Sequence, residues 1–422
     1  MTTLVNILHI TPHLGGGVGK ALSSFLCNSA GNHSTFRHSV VCLEQPEKMQ
    51  FVNIIQKCAI PIYFCPSESE LKTLVEQADI VQLEFWNHPV IPAYLCGTHL
   101  PPHRLVVWSH VSGLYHPKIP DGMLSTADRF LFTSPCSYET PEIKKLPEPI
   151  QNNLGVVSSG TVDNTPPAPI RTGETLRAGY AGSLNFSKLH PDFVQYLNAV
   201  KNKDFKVKIY GDPVNRDILT QQCRKIGRPG LLDFCGYSED IYPELANLDV
   251  LLYLLNPEHY GTAENVLLEA MAMGVVPIVC NNPAERNIVD HQKTGLIINS
   301  PGELASAIEW LRGHPKIMIE MGKNASVDVR GKYSAEAMIR EMEHHYQKML
   351  RVKSKKAISY EKIFGATRFD WFISFFRDKD KGICEWETIC KCKEKRKGSA
   401  FHFANIQPKP GDSENTGHYC KR

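Results

Sequence analysis

The stretch from Leu248 to Val279, with the sequence LDVLLYLLNPEHYGTAENVLLEAMAMGVVPIV, contains the pattern that decides the fold. Its first apolar run, Leu251–Leu255, predicts a buried strand, and Val275–Val279 predicts a second one. Between them, Thr262–Met273 has the apolar spacing of a helix and follows a loop that ends at Gly261. A strand, a helix and another strand in this order are typical of a parallel α/β sheet.

The start of this helix is suited to binding an anion. Thr262 or Ala263 is expected near the N-cap, so the N–H groups of Glu264, Asn265 and Val266 would have no partner within the helix. Together with the positive end of the helix dipole, these N–H groups favour a pyrophosphate as ligand.

Glu269 lies further along the same helix, between Leu268 and Ala270. A carboxylate beside apolar neighbours is costly unless it meets a partner, and two vicinal ribose hydroxyls would match its paired acceptor oxygens. The alternative is a glutamate that faces water, which accounts for Glu264 more easily than for Glu269.

Short apolar runs alternate with helical patterns along most of the chain, and a segment rich in Pro and Gly, Asn164–Glu174, predicts a linker between two such series. This pattern predicts an α/β fold of two doubly wound, Rossmann-like domains that face a cleft, with ligands at the carboxyl ends of the strands. We expect domains at 1–165 and 166–350, the last helix returning toward the first domain, and an appendage at 351–422 that is disordered in part. The predicted strands are Val5–Ile10, Ser39–Leu43, Ile62–Phe64, Ile80–Leu83, Leu105–Trp108, Arg129–Thr133 and Val156–Val157, then Ala178–Ala181, Phe205–Tyr210, Leu231–Phe234, Val250–Leu254, Val275–Val279 and Gly295–Ile298.

Composition excludes several classes of protein. The 422 residues carry a net charge of +3, which is too small to indicate a nucleic-acid partner. The 13 Cys are scattered, many of them in apolar runs, which indicates reduced thiols rather than a disulfide framework and favours a cytoplasmic location. The first residues resemble a buried strand more than a signal peptide, and no apolar stretch is long enough to span a membrane.

A glycine-rich loop, HLGGGVGK at His13–Lys20, follows the first predicted strand. A dinucleotide-binding loop would need a third Gly at Lys20, and a nucleoside triphosphatase loop would need Ser or Thr at Ala21. A tight turn with no further role is also open. We favour a loop whose backbone at Gly16 and Gly17 approaches a bound diphosphate or sugar.

The segment GYAGSLNFSK, Gly179–Lys188, forms a similar turn at the start of the second predicted domain. The compact ammonium group of Lys188 would neutralise a diphosphate next to this turn. A surface lysine after a turn is equally common, so this segment alone leaves both interpretations open.

Several segments together resemble the retaining glycosyltransferases of the GT-B fold, in the large family-four group. The segments that carry the resemblance are YGDP (210–213), DFCGY (233–237), the stretch 248–279 quoted above, PAERNIV (283–289), TGLII (294–298) and ELASAI (303–308). The resemblance covers about residues 4–350. It implies a hexosyltransferase with its nucleotide-sugar donor in the second domain, its acceptor in the first, and neither a cofactor nor an obligatory metal.

The family's site residues carry over only in part. Glu269 matches the second glutamate of a paired motif and implies a contact with the donor ribose, whereas the first glutamate is replaced by Gly261, so Glu264 or Glu258 would have to substitute. Ser183 stands where the family has Arg, while Lys188 matches its Lys.

His110, in VVWSHVSG, matches a histidine that usually faces the reacting sugar. The resemblance therefore implies catalytic roles for His110, Lys188 and Glu264. The expected donor site comprises Gly16, Gly17, Ser183, Lys188, Thr262, Glu264, Asn265, Val266 and Glu269.

The acceptor is expected to be a glycan, a lipid-linked molecule or a small molecule. Glu84, Trp86 and Asn87 follow a predicted strand and combine sugar-binding groups, although aromatic residues at a turn also pack for structural reasons. In the tail, Phe369–Phe376 and neighbouring basic runs are compatible with a peripheral membrane contact or with packing onto the domains. Two other functions remain open, a nucleotide-sugar-binding protein without turnover and a nucleoside triphosphatase using Gly15–Lys20.

Overall fold

The computed structural model describes residues 4–29, 35–160, 162–166, 176–351, 354–387 and 398–406. The chain divides into two compact units, each with its own parallel sheet. The first unit comprises the described residues within 1–132, 145–157 and 341–422, and the second comprises those within 133–144 and 158–340.

The described part of the first unit contains a seven-stranded sheet in the order β3-β2-β1-β4-β5-β6-β7, with all neighbours parallel. Strands β4, β5 and β6 are buried along their whole length, as expected for central strands covered on both faces. The strands are β1 (Val5–Thr11), β2 (Phe36–Cys42), β3 (Ile62–Phe64), β4 (Ile80–Phe85), β5 (Leu105–Ser109), β6 (Arg129–Phe132) and β7 (Leu154–Val156).

The described part of the second unit contains a six-stranded parallel sheet in the order β10-β9-β8-β11-β12-β13. From β8 the chain adds strands on one side as far as β10, and it then returns to add β11, β12 and β13 on the other side. Ligands of such sheets bind at the carboxyl ends of the strands near this switch point, between β8 and β11. The strands are β8 (Ala178–Ala181), β9 (Val207–Tyr210), β10 (Leu232–Gly236), β11 (Val250–Tyr253), β12 (Val276–Cys280) and β13 (Leu296–Ile298).

Helices connect the strands in both units, together with one short 3-10 helix at Pro135–Glu139. The helices are α1 (Gly16–Ser29), α2 (Gln50–Lys57), α3 (Glu68–Gln77), α4 (Val90–Gly97), α5 (Met123–Thr126), α6 (Pro141–Lys144), α7 (Glu148–Gln151), α8 (Phe193–Asn198), α9 (Arg216–Lys225), α10 (Tyr242–Ala246), α11 (Asn265–Ala272), α12 (Pro283–Arg286), α13 (Pro301–Gly313), α14 (Pro315–Lys332), α15 (Ala335–Leu350), α16 (Glu361–Phe364), α17 (Arg368–Ile373), α18 (Lys379–Glu387) and α19 (Ala400–Ala404).

The two units are not contiguous in sequence, unlike the domains expected from the linker. Residues 133–144 group with the second sheet, and the described residues from 341 onward group with the first. The reason lies partly in α15, where Tyr346 is fully buried and donates a hydrogen bond to Gln82 of β4 at 2.6 Å.

The described part of the tail packs into the first unit and is not an appendage. Tyr360, Phe364, Phe372 and Phe375 are buried, and the ring of Phe375 stacks on Phe85 of β4 at 6.0 Å. The aromatic residues at 369–376 therefore contribute largely to the core of this unit. The basic run at 391–397 lies outside the described residues.

Two further expectations concern cysteines and membranes. Cys27 and Cys58 form a disulfide across 31 residues, which differs from the expectation of reduced thiols alone. Spacing could not identify this pair, because α1 and α2 are brought together only by the fold. In the described residues, no helix combines the length and the apolar character needed to cross a membrane.

Candidate functional site

A buried ion pair lies at the centre of the second unit's candidate site. The turn after β8 carries Lys188, whose Nζ lies 3.0 Å from Oε2 of Glu264. Tyr253, the last residue of β11, donates its hydroxyl to the same oxygen at 2.5 Å. Glu264 is fully enclosed, whereas the Lys188 side chain keeps 23% of its surface exposed. Glu264 therefore fixes the ammonium group of Lys188 near the carboxyl ends of β8 and β11.

The electrostatics of this pair favour both charged forms. Burial alone would raise the pKa of Glu264, but the Lys188 ammonium and nearby His259 hold it below its ordinary value. Burial likewise opposes the charge of Lys188, and Glu264 raises the Lys188 pKa above its ordinary value. Since each charge compensates for the burial of the other, removing one would leave the other poorly solvated.

The carboxylate of Glu264 fills the space that a side chain at position 261 would need. A Cβ atom placed on Gly261 would lie 1.9 Å from Oε1 of Glu264, so any larger residue at 261 would displace this carboxylate. Glu258, the other candidate substitute, is exposed. Glu264 therefore places a carboxylate next to the position at which the family motif has its first glutamate.

Glu264 adopts a backbone conformation that favours glycine, with φ 43° and ψ 57°. Such left-handed conformations are uncommon for other residues and concentrate at functional sites. Its Oε1 is buried and has no hydrogen-bond partner among the described residues. A buried anionic oxygen without a donor is costly and marks a place for a ligand donor.

The left-handed Glu264 also shifts the start of the helix. Helix α11 begins at Asn265 with Glu264 as N-cap, three residues later than expected, because the backbone angles of Glu264 are left-handed and not helical. The N–H groups available at the helix start therefore begin at Asn265 and Val266. Thr262 lies outside the helix and is buried, accepting a hydrogen bond from Thr133 at 2.6 Å.

The other predicted donor residues occupy less direct positions. Glu269 is buried within α11, so it does not face water as in the alternative interpretation. Ser183 lies in the turn after β8, where its carbonyl accepts a hydrogen bond from Tyr180 and its hydroxyl accepts the N–H of Asn185.

His259 and Glu285 complete the site and were not found from the sequence. His259 Nε2 lies 3.1 Å from Oε2 of Glu285, and its Nδ1 accepts the N–H of Gly261 at 3.1 Å. Burial would lower the pKa of His259, but Glu285 raises it above the ordinary value. Glu285 lies in the quoted segment PAERNIV, yet only the fold brings it to the loop after β11.

A cavity of about 320 Å³ lies at the carboxyl ends of β9 and β10. The motifs YGDP and DFCGY supply much of its lining, including Asp212, Phe234 and Tyr237. The guanidinium of Arg216 lies 5.3 Å from the centre of the Phe234 ring. The sequence signalled these motifs through the resemblance, but it gave no reason to place them around a cavity.

The first unit contains a separate polar cluster centred on Glu84. This residue was expected to face an acceptor, but it is fully buried near the end of β4. Its Oε2 lies 2.8 Å from Nε2 of His110, and its Oε1 lies 3.3 Å from Nδ1 of His9. Since β4 is covered on both faces, a carboxylate on this strand points inward whichever face it occupies. The carboxylate of Glu84 therefore contacts the imidazole of His110 within hydrogen-bond distance.

The other acceptor-side candidates are partly accessible. Trp86 and Asn87 are both half-buried in the loop after β4. A Cβ atom on Gly398 of the tail would lie 2.4 Å from Nδ2 of Asn87, so the tail approaches this loop closely.

The glycine-rich segment leads directly into helix α1, which begins at Gly16. Gly16 has φ +58°, which favours glycine, and both Gly16 and Gly17 are exposed. Gly19 is needed for another reason, because a Cβ atom there would lie 2.7 Å from the backbone carbon of Leu14. Ala21 is buried in α1 and offers no hydroxyl for the magnesium ion of a nucleoside triphosphatase.

A cluster next to this loop has side chains that could bind a metal. Ligand atoms of His13, Glu44 and His88 lie within 4.8 Å of one another. However, Nδ1 of His88 accepts the N–H of Val90 at 3.4 Å, so the proton of the neutral ring lies on Nε2, 3.3 Å from Glu44. A metal-binding imidazole uses the opposite arrangement, with a free ligand nitrogen and a donating second nitrogen. The cluster fits a hydrogen-bonded His–Glu pair rather than a metal centre.

Comparison with known proteins supports one family. Residues 175–313 match the family model described as glycosyl transferases group 1. The D-rhamnosyltransferase WbpZ of Pseudomonas aeruginosa PAO1 is 22% identical over 345 residues, which cover 76% of this chain and 89% of the relative.

Solved structures agree at the level of the fold. A glycosyltransferase from Rickettsia africae ESF-5 has a TM-score of 0.66 at 15% identity and covers 83% of this chain and 100% of its own. Anabaena Alr3699/HepE in complex with UDP and glucose has a TM-score of 0.61 at 15% identity, with 82% and 100% covered. Taken with the family match, these likenesses identify residues 175–313 as a glycosyl transferases group 1 domain and the chain as a glycosyltransferase of the GT-B fold.

Proposed function

We propose that this glycosyltransferase moves a sugar from a nucleotide-diphosphate sugar to a hydroxyl of a glycan, lipid-linked or small-molecule acceptor, with retention and without an obligatory metal. The observation that carries the proposal is the Lys188–Glu264 pair next to the start of α11, in which Oε1 of Glu264 has no hydrogen-bond partner among the described residues. The complex of HepE with UDP and glucose supports a nucleotide-sugar donor for a protein of this fold.

Lys188 and the start of α11 would stabilise the leaving diphosphate. The Lys188 side chain is partly exposed, so its ammonium group could share its charge with a diphosphate while it stays close to Glu264. The first N–H groups of a helix have no partner within it, so those of Asn265 and Val266 would add donors with the favourable dipole direction. These groups replace the charge that a metal ion would supply to the leaving group.

Glu264 would hold a hydroxyl of the transferred sugar. Such a hydroxyl would give Oε1 the hydrogen-bond donor that it lacks among the described residues. Glu269 would accept the ribose hydroxyls, and the cavity lined by Phe234 and Tyr237 would hold the base.

The reaction would pass through an oxocarbenium-like state in which the departing diphosphate oxygen takes the acceptor proton. The chain would then contribute positioning and electrostatic stabilisation rather than a covalent intermediate. His110 would contact the reacting sugar, and Trp86 and Asn87 would contact the acceptor.

The test begins with a thermal-shift panel of nucleotide sugars, followed by transfer assays with the donor that stabilises the protein. Proton NMR of the product gives the anomeric configuration, and the same assay with EDTA tests the need for a metal. An inverted product would refute retention, and loss of activity with EDTA that Mg²⁺ restores would refute metal independence. Donor binding without transfer to any acceptor would instead favour a non-catalytic nucleotide-sugar-binding protein, which Ser183 in place of Arg also favours.

A further inference from the structure

A row of polar side chains crosses the sheet of the first unit. In the strand register, His9 of β1 lies opposite Val40 of β2 and Gln82 of β4. Glu84 of β4 lies opposite Trp108 of β5. Residues two apart on a strand share a face, so His38, His9, Gln82, Glu84 and His110 all lie on the same face. Because the interior of a sheet is usually apolar, five such groups in one row call for an explanation.

These side chains form a continuous hydrogen-bonded series. His38 Nδ1 lies 3.0 Å from His9 Nε2, and His9 Nδ1 lies 3.3 Å from Glu84 Oε1. Gln82 donates to the same Glu84 oxygen at 2.7 Å, and His110 Nε2 lies 2.8 Å from Oε2. The series ends at His110, which lies just past the end of β5.

The charge on Glu84 fixes the arrangement of His110. Burial would raise the pKa of Glu84, but the hydrogen bonds from His110 and His9 keep it below its ordinary value, so the carboxylate is ionised and can only accept. Nε2 of His110 must therefore carry a hydrogen, and Nδ1 of the neutral ring keeps its lone pair. In the described part of the chain, no protein group bonds to Nδ1, and the His110 side chain is 6% exposed.

We propose that Glu84 is a positioning residue, which holds His110 in the Nε2–H form so that Nδ1 accepts a hydrogen bond from a hydroxyl of the transferred sugar. The inference rests on the proposed function for the identity of the substrate. Gln82 in turn is held by Tyr346, whose hydroxyl donates to its Oε1 at 2.6 Å, so the orientation of the carboxylate is itself fixed. Loss of a group that orients a histidine through a hydrogen bond typically lowers activity by about 10- to 100-fold.

The kinetic test compares Glu84→Gln, His110→Asn and the double variant. Glu84→Gln keeps the size of the side chain but removes the charge, and we expect kcat to fall about 10- to 100-fold with little change in KM. In the His110→Asn background the same substitution should change kcat less than about threefold, because Glu84 then has no imidazole to orient. Glu84→Asp, which keeps the charge, should retain more activity than Glu84→Gln.

Asp128→Asn serves as a matched control. Asp128 is also a buried carboxylate of the first unit, but it accepts the N–H of Leu105 at 2.9 Å, at the opposite end of β5 from His110. The Asp128→Asn substitution should lower the unfolding temperature and leave kcat within about twofold of the wild-type value. Wild-type kcat in Glu84→Gln, or an equal loss with and without His110, would overturn the proposal.

A second measurement does not depend on turnover. Nitrogen-15 NMR of the full-length wild-type protein, with His110 assigned through His110→Asn, should show one Nε2–H tautomer. An Nδ1–H form or a mixture would overturn the positioning role even if no donor had been found. Failure of the wild type to transfer any sugar, with the Nε2–H form present, would count against the proposed function alone.

Discussion

The shared space of Gly261 and Glu264 leads to a quantitative prediction about Gly261→Ala. The added Cβ would lie 1.9 Å from Oε1 of Glu264, whereas ordinary contact begins at 3.4 Å, so the carboxylate must move by about 1.5 Å, the difference of these two distances. This movement would break the 2.5 Å hydrogen bond from Tyr253 and lengthen the 3.0 Å contact with Lys188.

The expected cost follows from the two contacts that are lost. Hydrogen bonds to charged groups contribute about 1.5–3 kcal/mol each, and water can replace part of the contact with Lys188, whose side chain is partly exposed. We therefore expect Gly261→Ala to lower the free energy of unfolding by about 2–4 kcal/mol. Backbone strain does not enter, because Gly261 is not in the left-handed region.

The assay is urea unfolding of four proteins: the wild type, Gly261→Ala, Glu264→Gly and the double variant. In the Glu264→Gly background the alanine meets no carboxylate, and its 2.9 Å approach to His259 Nδ1 is common to both backgrounds and cancels. The coupling energy should therefore be about 2 kcal/mol or more. A coupling energy within about 0.5 kcal/mol of zero would refute the shared space as the reason for glycine at 261.

Three further outcomes are expected. Lys188→Ala and Glu269→Ala should each nearly abolish transfer in a radiolabelled-sugar assay, and near wild-type turnover in both would remove them from the site. Because its pKa is depressed, Glu264 stabilises the protein above about pH 4.3 and loses this effect as the pH falls through its folded-state pKa. The gap in unfolding free energy between the wild type and Glu264→Gln, about 1–3 kcal/mol at pH 7, should therefore shrink toward pH 3, and a constant gap would contradict this assignment. Ending the chain at residue 350 removes Phe375 from the core of the first unit, so calorimetry should show a much lower unfolding temperature, and an unchanged transition would contradict the packing of the tail.

Much of the fold was accessible from sequence because parallel strands are continuous apolar runs. The segments Ile62–Phe64 and Ala178–Ala181 were predicted with their observed bounds, and the predicted α/β fold class is confirmed. The start of α11 was misplaced because Glu264 takes a left-handed conformation that its residue type does not signal. The disulfide between Cys27 and Cys58 joins elements 31 residues apart, and local patterns carry no information on such contacts.

The candidate site was accessible only in part for a related reason. Lys188 and Glu264 were each identified, but the hydrogen bond and ion pair that connect them depend on the packing of two strand ends. Glu84 is an acceptor-side candidate in the sequence because it follows the predicted strand Ile80–Leu83 in a segment rich in sugar-binding groups, but the strand extends to Phe85 and buries it. Because β4 is buried on both faces, its sequence lacks the apolar–polar alternation that indicates which way a side chain points. His259 and Glu285 lie 26 residues apart and meet only in the folded unit.

The arrangement at Gly261 and Glu264 has an evolutionary consequence. A lineage that acquires glutamate at 261 first would crowd the carboxylate already present, and one that loses Glu264 first would leave Lys188 without its counter-charge. Exchange between the two arrangements would thus require passage through an impaired intermediate, and related sequences should carry glycine at 261 together with glutamate at 264. Searches that demand two glutamates eight residues apart would overlook every member of such a lineage.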